Sequence, residues 1–135
     1  MIQLQMPRLP SPPQGRRALI IEDEFLIALD LETTMFKLGF DVCALAPSAS
    51  KARSLAMSDQ PDVALVDVCL AGGREGIEIA RWLRDVCEVP IVFVTAHSDA
   101  DTVERINEQV PDAPVLAKPA FRHTLANAIA AVTKH

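Results

Sequence analysis

Short apolar runs alternate along this chain with longer segments whose apolar residues recur at helical spacing. The apolar runs lie at residues 17–21, 41–46, 62–66, 90–94 and 113–117. The segments with helical spacing lie at residues 24–39, 48–57, 74–86, 98–109 and 121–132. Because the short runs are continuous rather than alternating, they predict strands of a parallel sheet covered by helices on both faces. The pattern therefore predicts an α/β fold in which a βα unit is repeated five times.

Individual residues predict the ends and the buried faces of these helices. Gly39 stands where the first helix should end, and Ser48 is the predicted cap of the second helix. Ser98 with Asp101 resembles a capping box and predicts the start of the fourth helix. In the first helix, Phe25, Leu29, Phe36 and others recur at helical spacing. The residues expected to face the core from the last helix are Leu125, Ala128, Ile129 and Val132.

The length of 135 residues suits one domain with one core. Prolines at positions 7, 10, 12 and 13 disfavour a helix near the amino terminus. They predict a mobile, partly extended tail over residues 1–15, followed by a single domain over residues 16–135. The three cysteines, Cys43, Cys69 and Cys87, form neither a disulfide framework nor a zinc-binding pattern, and are predicted to be buried free thiols.

The charge pattern and hydropathy exclude several classes of function. The formal net charge is -5 and the basic residues are scattered, which argues against a nucleic-acid surface. No apolar stretch approaches the roughly 20 residues that span a membrane, and the amino terminus lacks the apolar segment of a secretion signal. We therefore expect a cytoplasmic protein with no membrane partner.

Residues with ionic or hydroxyl side chains follow four of the five predicted strands. The first strand ends in Glu22 and Asp23, the third in Asp67, the fourth in Thr95 and the fifth in Lys118. Since the carboxyl ends of parallel strands meet at one edge of the sheet, these groups should converge there. Gathered carboxylates favour Mg²⁺, and a carboxylate beside a metal, a lysine and a hydroxyl is suited to phosphoryl transfer to aspartate.

At these residues the chain resembles the receiver domains of bacterial two-component response regulators, over residues 16–135. "LIIEDE" is similar to the acidic-pair motif, and "VALVDVCLAGGREGIEIARWLR" to the phosphoacceptor strand with its following loop and helix. "IVFVTAH" is similar to the switch-hydroxyl motif and "VLAKPA" to the Lys-Pro motif. The loop "AGGREG" resembles those of single-domain receivers from alphaproteobacteria. The resemblance implies a flavodoxin-like (βα)5 fold with strand order 2-1-3-4-5.

The resemblance also implies a role for each residue at the predicted edge. Asp67 would be the phosphorylated aspartate, and the Mg²⁺ ligands would be Asp23, Asp67 and the backbone carbonyl of Cys69. Glu22 would act mainly through metal-bound water. Thr95 would turn toward the phosphoryl group, and Lys118 would pair with it and precede a cis peptide bond to Pro119. Val115 stands where many receivers carry an aromatic residue, so an aromatic-swing readout is not expected.

The expected function is therefore a phosphorylation switch rather than an enzyme acting on a separate substrate. The expected partners are a histidine kinase or histidine phosphotransfer protein, and a target protein on the face formed by residues 98–132. The chain is expected to act as a stand-alone receiver, as a monomer or weak homodimer. Two alternatives remain open: a binding module that is not switched by phosphate, and a thiol enzyme that uses Cys69 with His97. His97 could also contact the phosphoryl group or steer water.

Overall fold

Each predicted apolar run forms a strand, and each segment with helical spacing forms a helix. The computed structural model of the chain describes residues 15–70 and 75–133. The strands are β1 Arg16–Ile21, β2 Phe40–Ala46, β3 Val63–Val66, β4 Ile91–Thr95 and β5 Val115–Ala117. The helices are α1 Phe25–Lys37, α2 Ala49–Ser58, α3 Glu75–Cys87, α4 Ala100–Gln109 and α5 Arg122–Thr133. The prediction of the (βα)5 fold is confirmed.

The strands form one parallel sheet in the order β2-β1-β3-β4-β5, as the resemblance implies. The chain moves outward from β1 to β2 and then returns to β3 on the other side of β1. Because β1 and β3 are neighbours in register, Ile21 lies opposite Val66. The residues that follow these two strands therefore emerge side by side at the carboxyl edge of the sheet.

The sheet has an apolar cluster on each of its two faces. This arrangement explains why the strands are apolar at consecutive rather than alternate positions. One cluster joins the sheet to α2, α3 and α4, with Leu83 and Ile106 among its buried members. The other joins it to α1 and α5. All four residues of β3 and all five of β4 are buried, because helices cover both faces of the central strands. In α5, Leu125, Ala128 and Ile129 are buried and Val132 packs against the same cluster, as predicted.

The apolar spacing predicted the helix α1 but did not identify which of its faces is buried. The buried residues of this helix are Ala28, Leu31 and Met35. Phe25 is 66% exposed and Phe36 is 47% exposed. Two apolar stripes with the same helical spacing run along α1, and periodicity cannot rank them. We attribute the outcome to packing, since the inner stripe places Ala28 against the sheet and leaves the larger aromatic rings outside.

The predicted caps are confirmed at α2 and wrong at α4. Ser48 Oγ accepts a hydrogen bond from the Lys51 amide, as a capping serine should. At α4 the cap is Asp99 rather than Ser98, and its carboxylate accepts hydrogen bonds from the amide and the hydroxyl of Thr102. Aspartate caps as well as serine, and Thr102 gives Asp99 a second donor that explains the shift of one residue.

Two further expectations concern the ends of segments. Gly39 follows α1 with φ of +98°, in the left-handed region that glycine adopts without steric cost. The tail is predicted over residues 1–15, of which the structure describes only Gly15, so the tail and its boundary stay predictions. None of the helices within residues 15–70 and 75–133 has the length and apolar character needed to cross a bilayer.

The prediction that the three cysteines are buried is wrong, because Cys43, Cys69 and Cys87 are each partly exposed.

Ionisation of the partly buried Cys43 thiol is expected to lower the stability of the fold at high pH. Burial, with a smaller contribution from Glu32, raises the pKa of this thiol from 9.0 to about 11. Between these values the unfolded chain ionises while the folded protein stays neutral, so the free energy of unfolding falls as pH rises. The slope is at most ~1.4 kcal/mol per pH unit. Urea titrations from pH 7 to 11 should show a shallower decline for Cys43→Ala; parallel declines would contradict the assignment.

Candidate functional site

The residues that follow β1 and β3 bring three carboxylates together at the carboxyl edge of the sheet. Glu22, Asp23 and Asp67 each offer one oxygen atom, and these atoms lie within 4.8 Å of one another. Asp67 is 6% exposed and Glu22 is 3% exposed, whereas Asp23 faces solvent. The predicted convergence of these side chains is what the structure shows. An uncompensated group of buried carboxylates is costly, so a cation is needed here.

The ammonium group of Lys118 supplies positive charge within this cluster. Its Nζ lies 2.7 Å from Glu22 Oε1 and donates a hydrogen bond of 3.2 Å to Asp67 Oδ2. Lys118 follows β5, and its backbone amide donates to the Thr95 carbonyl at 3.0 Å. The peptide bond between Lys118 and Pro119 is cis, as the resemblance implies. The hydrogen bond from the Lys118 amide to the Thr95 carbonyl joins the end of β5 to the end of β4.

Glu22 and Lys118 each favour the charged form of the other. Burial, with a smaller contribution from Asp67, raises the pKa of Glu22 above its ordinary value, and the opposing effects of Lys118 and the Glu24 amide do not cancel this rise. For Lys118, burial alone would lower the pKa, but Glu22 and Asp67 outweigh it and the pKa is raised. The lysine therefore stays protonated throughout the physiological range.

The backbone around Asp67 holds its carboxylate in place. The Asp67 amide donates to the Ile21 carbonyl at 2.9 Å and extends the pairing of β1 with β3. Asp67 Oδ1 accepts a hydrogen bond from the Cys69 amide at 3.2 Å. This contact puts the Cys69 main chain beside the carboxylate, and its carbonyl stays a predicted metal ligand.

A close backbone approach at Gly76 is a feature that the sequence reasoning missed. Gly76 is the second residue of α3, and its amide donates to the Val68 carbonyl at 3.1 Å. A Cβ atom at this position would overlap the Asp67 carbonyl oxygen and lie 2.7 Å from Val68 Cα. Only glycine therefore lets α3 begin so near the segment that carries Asp67. The glycine-rich loop was the available signal, although Gly72 and Gly73 lie outside the described residues.

The hydroxyl of Thr95 lies at the same edge, and its hydrogen bond is to the loop after β4 rather than to Asp67. Thr95 is buried, and its Oγ1 accepts a hydrogen bond of 3.0 Å from the His97 amide. Within residues 15–70 and 75–133 no hydrogen bond joins Thr95 to the carboxylate cluster. The His97 side chain is exposed. The structure thus brings Glu22, Asp23, Asp67 and Lys118 into direct proximity and leaves the hydroxyl engaged with the loop after β4.

A parallel sheet of this order with this cluster at its carboxyl edge defines a class of signalling domain. The sequence profile described as "Response regulator receiver domain" matches residues 18–130. The chain belongs to the family of response regulator receiver domains of two-component signalling.

Two curated relatives and one solved structure show the range of this similarity. The chain is 37% identical to the phyllosphere-induced regulator PhyR of Methylorubrum extorquens over 75% of its own length and 37% of that protein. It is 37% identical to the transcriptional regulatory protein PdtaR of Mycobacterium tuberculosis, covering 69% of this chain and 45% of that protein. The chain thus spans less than half the length of these relatives. The receiver domain of a modulated diguanylate cyclase from Desulfovibrio desulfuricans superposes with a TM-score of 0.79 at 34% identity, covering 89% and 94% of the two chains.

Proposed function

We propose that Asp67 accepts a phosphoryl group from a phosphorylated histidine of a partner protein. The observation that carries this proposal is the position of Asp67: its buried carboxylate lies within reach of two other carboxylates and 3.2 Å from the Lys118 ammonium. A carboxylate in such a place serves no packing purpose, since it interrupts an apolar strand end. It is, however, well placed to act as a nucleophile.

The carboxylate cluster fits a bound Mg²⁺. Three oxygen donors within 4.8 Å are the hard ligands that this ion takes. Asp23, Asp67 and the Cys69 carbonyl would hold the ion, with Glu22 acting through a bound water. The ion would add positive charge beside the transferred group.

The chain's own residues account for the remaining steps. A carboxylate oxygen of Asp67 forms the new bond to phosphorus as the bond from phosphorus to the donor imidazole breaks. The Lys118 ammonium offsets the negative charge of the incoming group. The group brings a charge of roughly -1.5 to -2. The Thr95 hydroxyl leaves the His97 amide and donates to a phosphoryl oxygen, which alters the segment after β4.

Intact-mass measurement after incubation with Mg²⁺ and acetyl phosphate tests this function. The unaltered chain is expected to gain the mass of one phosphoryl group, and Asp67→Ala is expected to gain none. Asp30→Ala on the exposed face of α1 is the matched control and should be modified like the unaltered chain. An equal adduct on the Asp67→Ala chain would remove Asp67 from its proposed role.

The two alternative functions make different predictions in the same assay. Alkylation of Cys69 would abolish the activity of a thiol enzyme but would leave the phosphoryl adduct on Asp67. A binding module that is not switched would show neither an adduct nor Mg²⁺ binding in a titration. We propose the signalling switch rather than an enzyme because the cluster centres on Asp67 and not on Cys69.

We propose that the outer face of α1 receives the phosphodonor. Phe25 is 66% exposed and Leu26 is 78% exposed, directly after the carboxylates of the site. Phe121, at 67% exposure, follows the Lys118–Pro119 bond at the same edge. Apolar side chains around a polar site are typical of a protein-binding surface. The target protein is proposed to bind the face formed by residues 98–132. Thr95 and Lys118 connect this face to the carboxylate cluster.

Replacing exposed apolar residues of α1 with serine is expected to weaken the docking of the phosphodonor protein without changing the phosphoryl-transfer chemistry at Asp67. The Phe25→Ser, Leu26→Ser chain should accept a phosphoryl group roughly tenfold more slowly from a phosphorylated histidine kinase that modifies the unaltered chain. Its modification by acetyl phosphate should be unchanged. Met57→Ser on α2, at a residue that is 74% exposed, is the control. Equal rates from the kinase for all three chains would place the docking surface elsewhere.

A further inference from the structure

Two arginine side chains of α3 join this helix to the carboxyl end of α4. Arg81 Nη1 donates a hydrogen bond of 2.7 Å to Oε1 of Gln109, the last residue of α4. Arg84 Nη1 donates a hydrogen bond of 3.0 Å to the carbonyl of Pro111, two residues beyond the helix. The Asp85 carboxylate accepts a hydrogen bond of 3.3 Å from Arg84 Nε and forms an ion pair of 3.5 Å with Arg81 Nε. One carboxylate of α3 thus contacts both of the guanidinium groups that hold α4.

Apolar packing holds the same end of α4. Ile106 and Val110 are fully buried and belong to the apolar cluster that includes Leu83 of α3. The Val110 amide donates to the Ile106 carbonyl at 2.7 Å, which continues the helical pairing to this buried residue. On α3, Ile79 and Ala80 are fully buried as well, so the helix that carries the two arginines is itself anchored to the core. Buried side chains and hydrogen bonds from a second helix therefore fix the carboxyl end of α4.

The amino end of α4 is attached in a different way. Residues 96–100, which join β4 to this end, are all exposed, and in this segment the His97 amide donates to Thr95 Oγ1 at 3.0 Å. Thr102 is the one buried residue of α4 before Ile106. The contact that the proposed phosphorylation breaks thus lies at the end of α4 that has fewer buried residues.

We propose that α4 turns about its carboxyl end when Asp67 is phosphorylated, with Arg81 and Arg84 as the tethers that hold the pivot. This inference rests on the proposed function. As Thr95 Oγ1 leaves the His97 amide for the phosphoryl group, the segment before α4 is released and the amino end of the helix is displaced. A hinge movement of this kind needs one fixed end, and the two guanidinium groups help to supply it.

The pivot divides the proposed target-binding face into two parts. Residues 98–104 change position on phosphorylation, whereas residues 106–113 keep theirs. The target protein therefore recognises the position of the amino-terminal half of α4 relative to a stationary remainder.

Hydrogen exchange of backbone amides tests the tethers in the unphosphorylated full chain. Combining Arg81→Met with Arg84→Met removes both hydrogen-bond donors and keeps long apolar side chains. Exchange of amides 106–110 is expected to become about tenfold faster relative to amides 63–66 of β3, because the buried central strand reports global opening and the end of α4 reports local opening. An unchanged ratio of the two exchange rates would overturn the proposal.

Two further chains distinguish the tethers from a general loss of side-chain contacts. Combining Arg81→Lys with Arg84→Lys keeps a hydrogen-bond donor at each position and should retain most of the protection of amides 106–110. Arg105→Met is the matched control, because Arg105 forms its ion pair with Asp101 inside α4, and it should leave the ratio unchanged. If Arg105→Met raised the ratio as much as the paired methionines did, α3 would not be the source of the restraint.

Amide chemical shifts in Mg²⁺ and acetyl phosphate test the movement. Within α4 and its flanking segments, the changes in the unaltered chain are expected to be confined to residues 96–104, and in the chain with both methionines they should extend through residues 106–113. Equal changes across residues 106–113 in the two chains would overturn the pivot, as would a phosphorylated chain without changes at residues 96–104. Intact mass shows separately whether the adduct on Asp67 has formed. Its absence would refute the proposed function and the movement with it, while the exchange ratio would still report the tethers.

Discussion

A chain with methionine in place of Lys118 is expected to have a free energy of unfolding about 3 kcal/mol lower at neutral pH without divalent metal. The ammonium lies 2.7 Å from Glu22 Oε1 and 3.2 Å from Asp67 Oδ2, and both carboxylates are buried. Its removal leaves these charges facing each other without a cation, and that cost exceeds the gain from burying methionine. Urea unfolding followed by circular dichroism measures the difference.

The matched control and the pH dependence make this prediction specific. Lys51→Met on exposed α2 should change stability by about 0.5 kcal/mol or less. Burial raises the pKa of Glu22 above its ordinary 4.5, so the folded protein binds this proton more tightly than the unfolded chain does. Lys118 lowers the pKa of Glu22, so its removal raises this pKa further. As pH falls, Lys118→Met therefore gains more stability from protonation of Glu22 than the unaltered chain does, and its deficit should shrink toward pH 4.5. A deficit that is small, or that does not depend on pH, would refute the assignment of Lys118 as the cation of this cluster.

Alanine in place of Gly76 is expected to lower the free energy of unfolding by about 3 kcal/mol. In most helices the same change is favourable by about 1 kcal/mol, because alanine has the higher helix propensity. Here the added Cβ atom would overlap the Asp67 carbonyl oxygen and crowd Val68 Cα, and both are backbone atoms that cannot move aside cheaply. The yield of phosphoryl adduct should fall as well, since the clash displaces the segment that holds Asp67.

Gly39→Ala is the control that distinguishes the effect of the steric overlap at Gly76 from the general effect of replacing a glycine. Gly39 has φ of +98°, and the nearest atom to an added Cβ is Arg16 Nη1 at 3.9 Å. Only the backbone conformation is unfavourable there, at a cost of about 1 kcal/mol. Gly39→Ala should therefore destabilise the fold moderately and leave the adduct yield unchanged. If Gly76→Ala were as stable as the unaltered chain, the approach of α3 to Asp67 would be looser than described.

The order and type of the elements could be predicted because each strand is a short continuous apolar run bounded by polar, glycine or proline residues. Gly39 and Ser48 mark their helix ends through local backbone and hydrogen-bond chemistry, so they could be read directly. The inner face of α1 could not be read, because Phe25 and Phe36 share their helical spacing with a second apolar stripe. Which stripe is buried depends on the shape of the sheet beneath it, and that is a tertiary property.

The sequence predicted that the side chains after the strands converge at one edge, but it did not predict which of them pair with each other. The sequence places Glu22, Asp67 and Lys118 after strands of one parallel sheet, and all of these strands end at the same edge. It does not show that Lys118 Nζ approaches Glu22 more closely than Asp67, or that the Thr95 hydroxyl binds the His97 amide. These choices depend on differences of a few tenths of an ångström in side-chain position. The roles of these residues in phosphoryl transfer stay predictions.

The strand that carries Lys118 differs from the strands that carry the carboxylates. β5 has three residues, all at least partly exposed, and lies at the margin of the sheet beside β4. The carboxylates follow β1 and β3, which lie inside the sheet with neighbours on both sides. Short marginal segments open locally at a small fraction of the free energy of global unfolding. The carboxylates thus stand on interior strands while their counter-ion stands on a short marginal strand, so local opening of β5 would remove positive charge from the pocket while the rest of the fold stays intact.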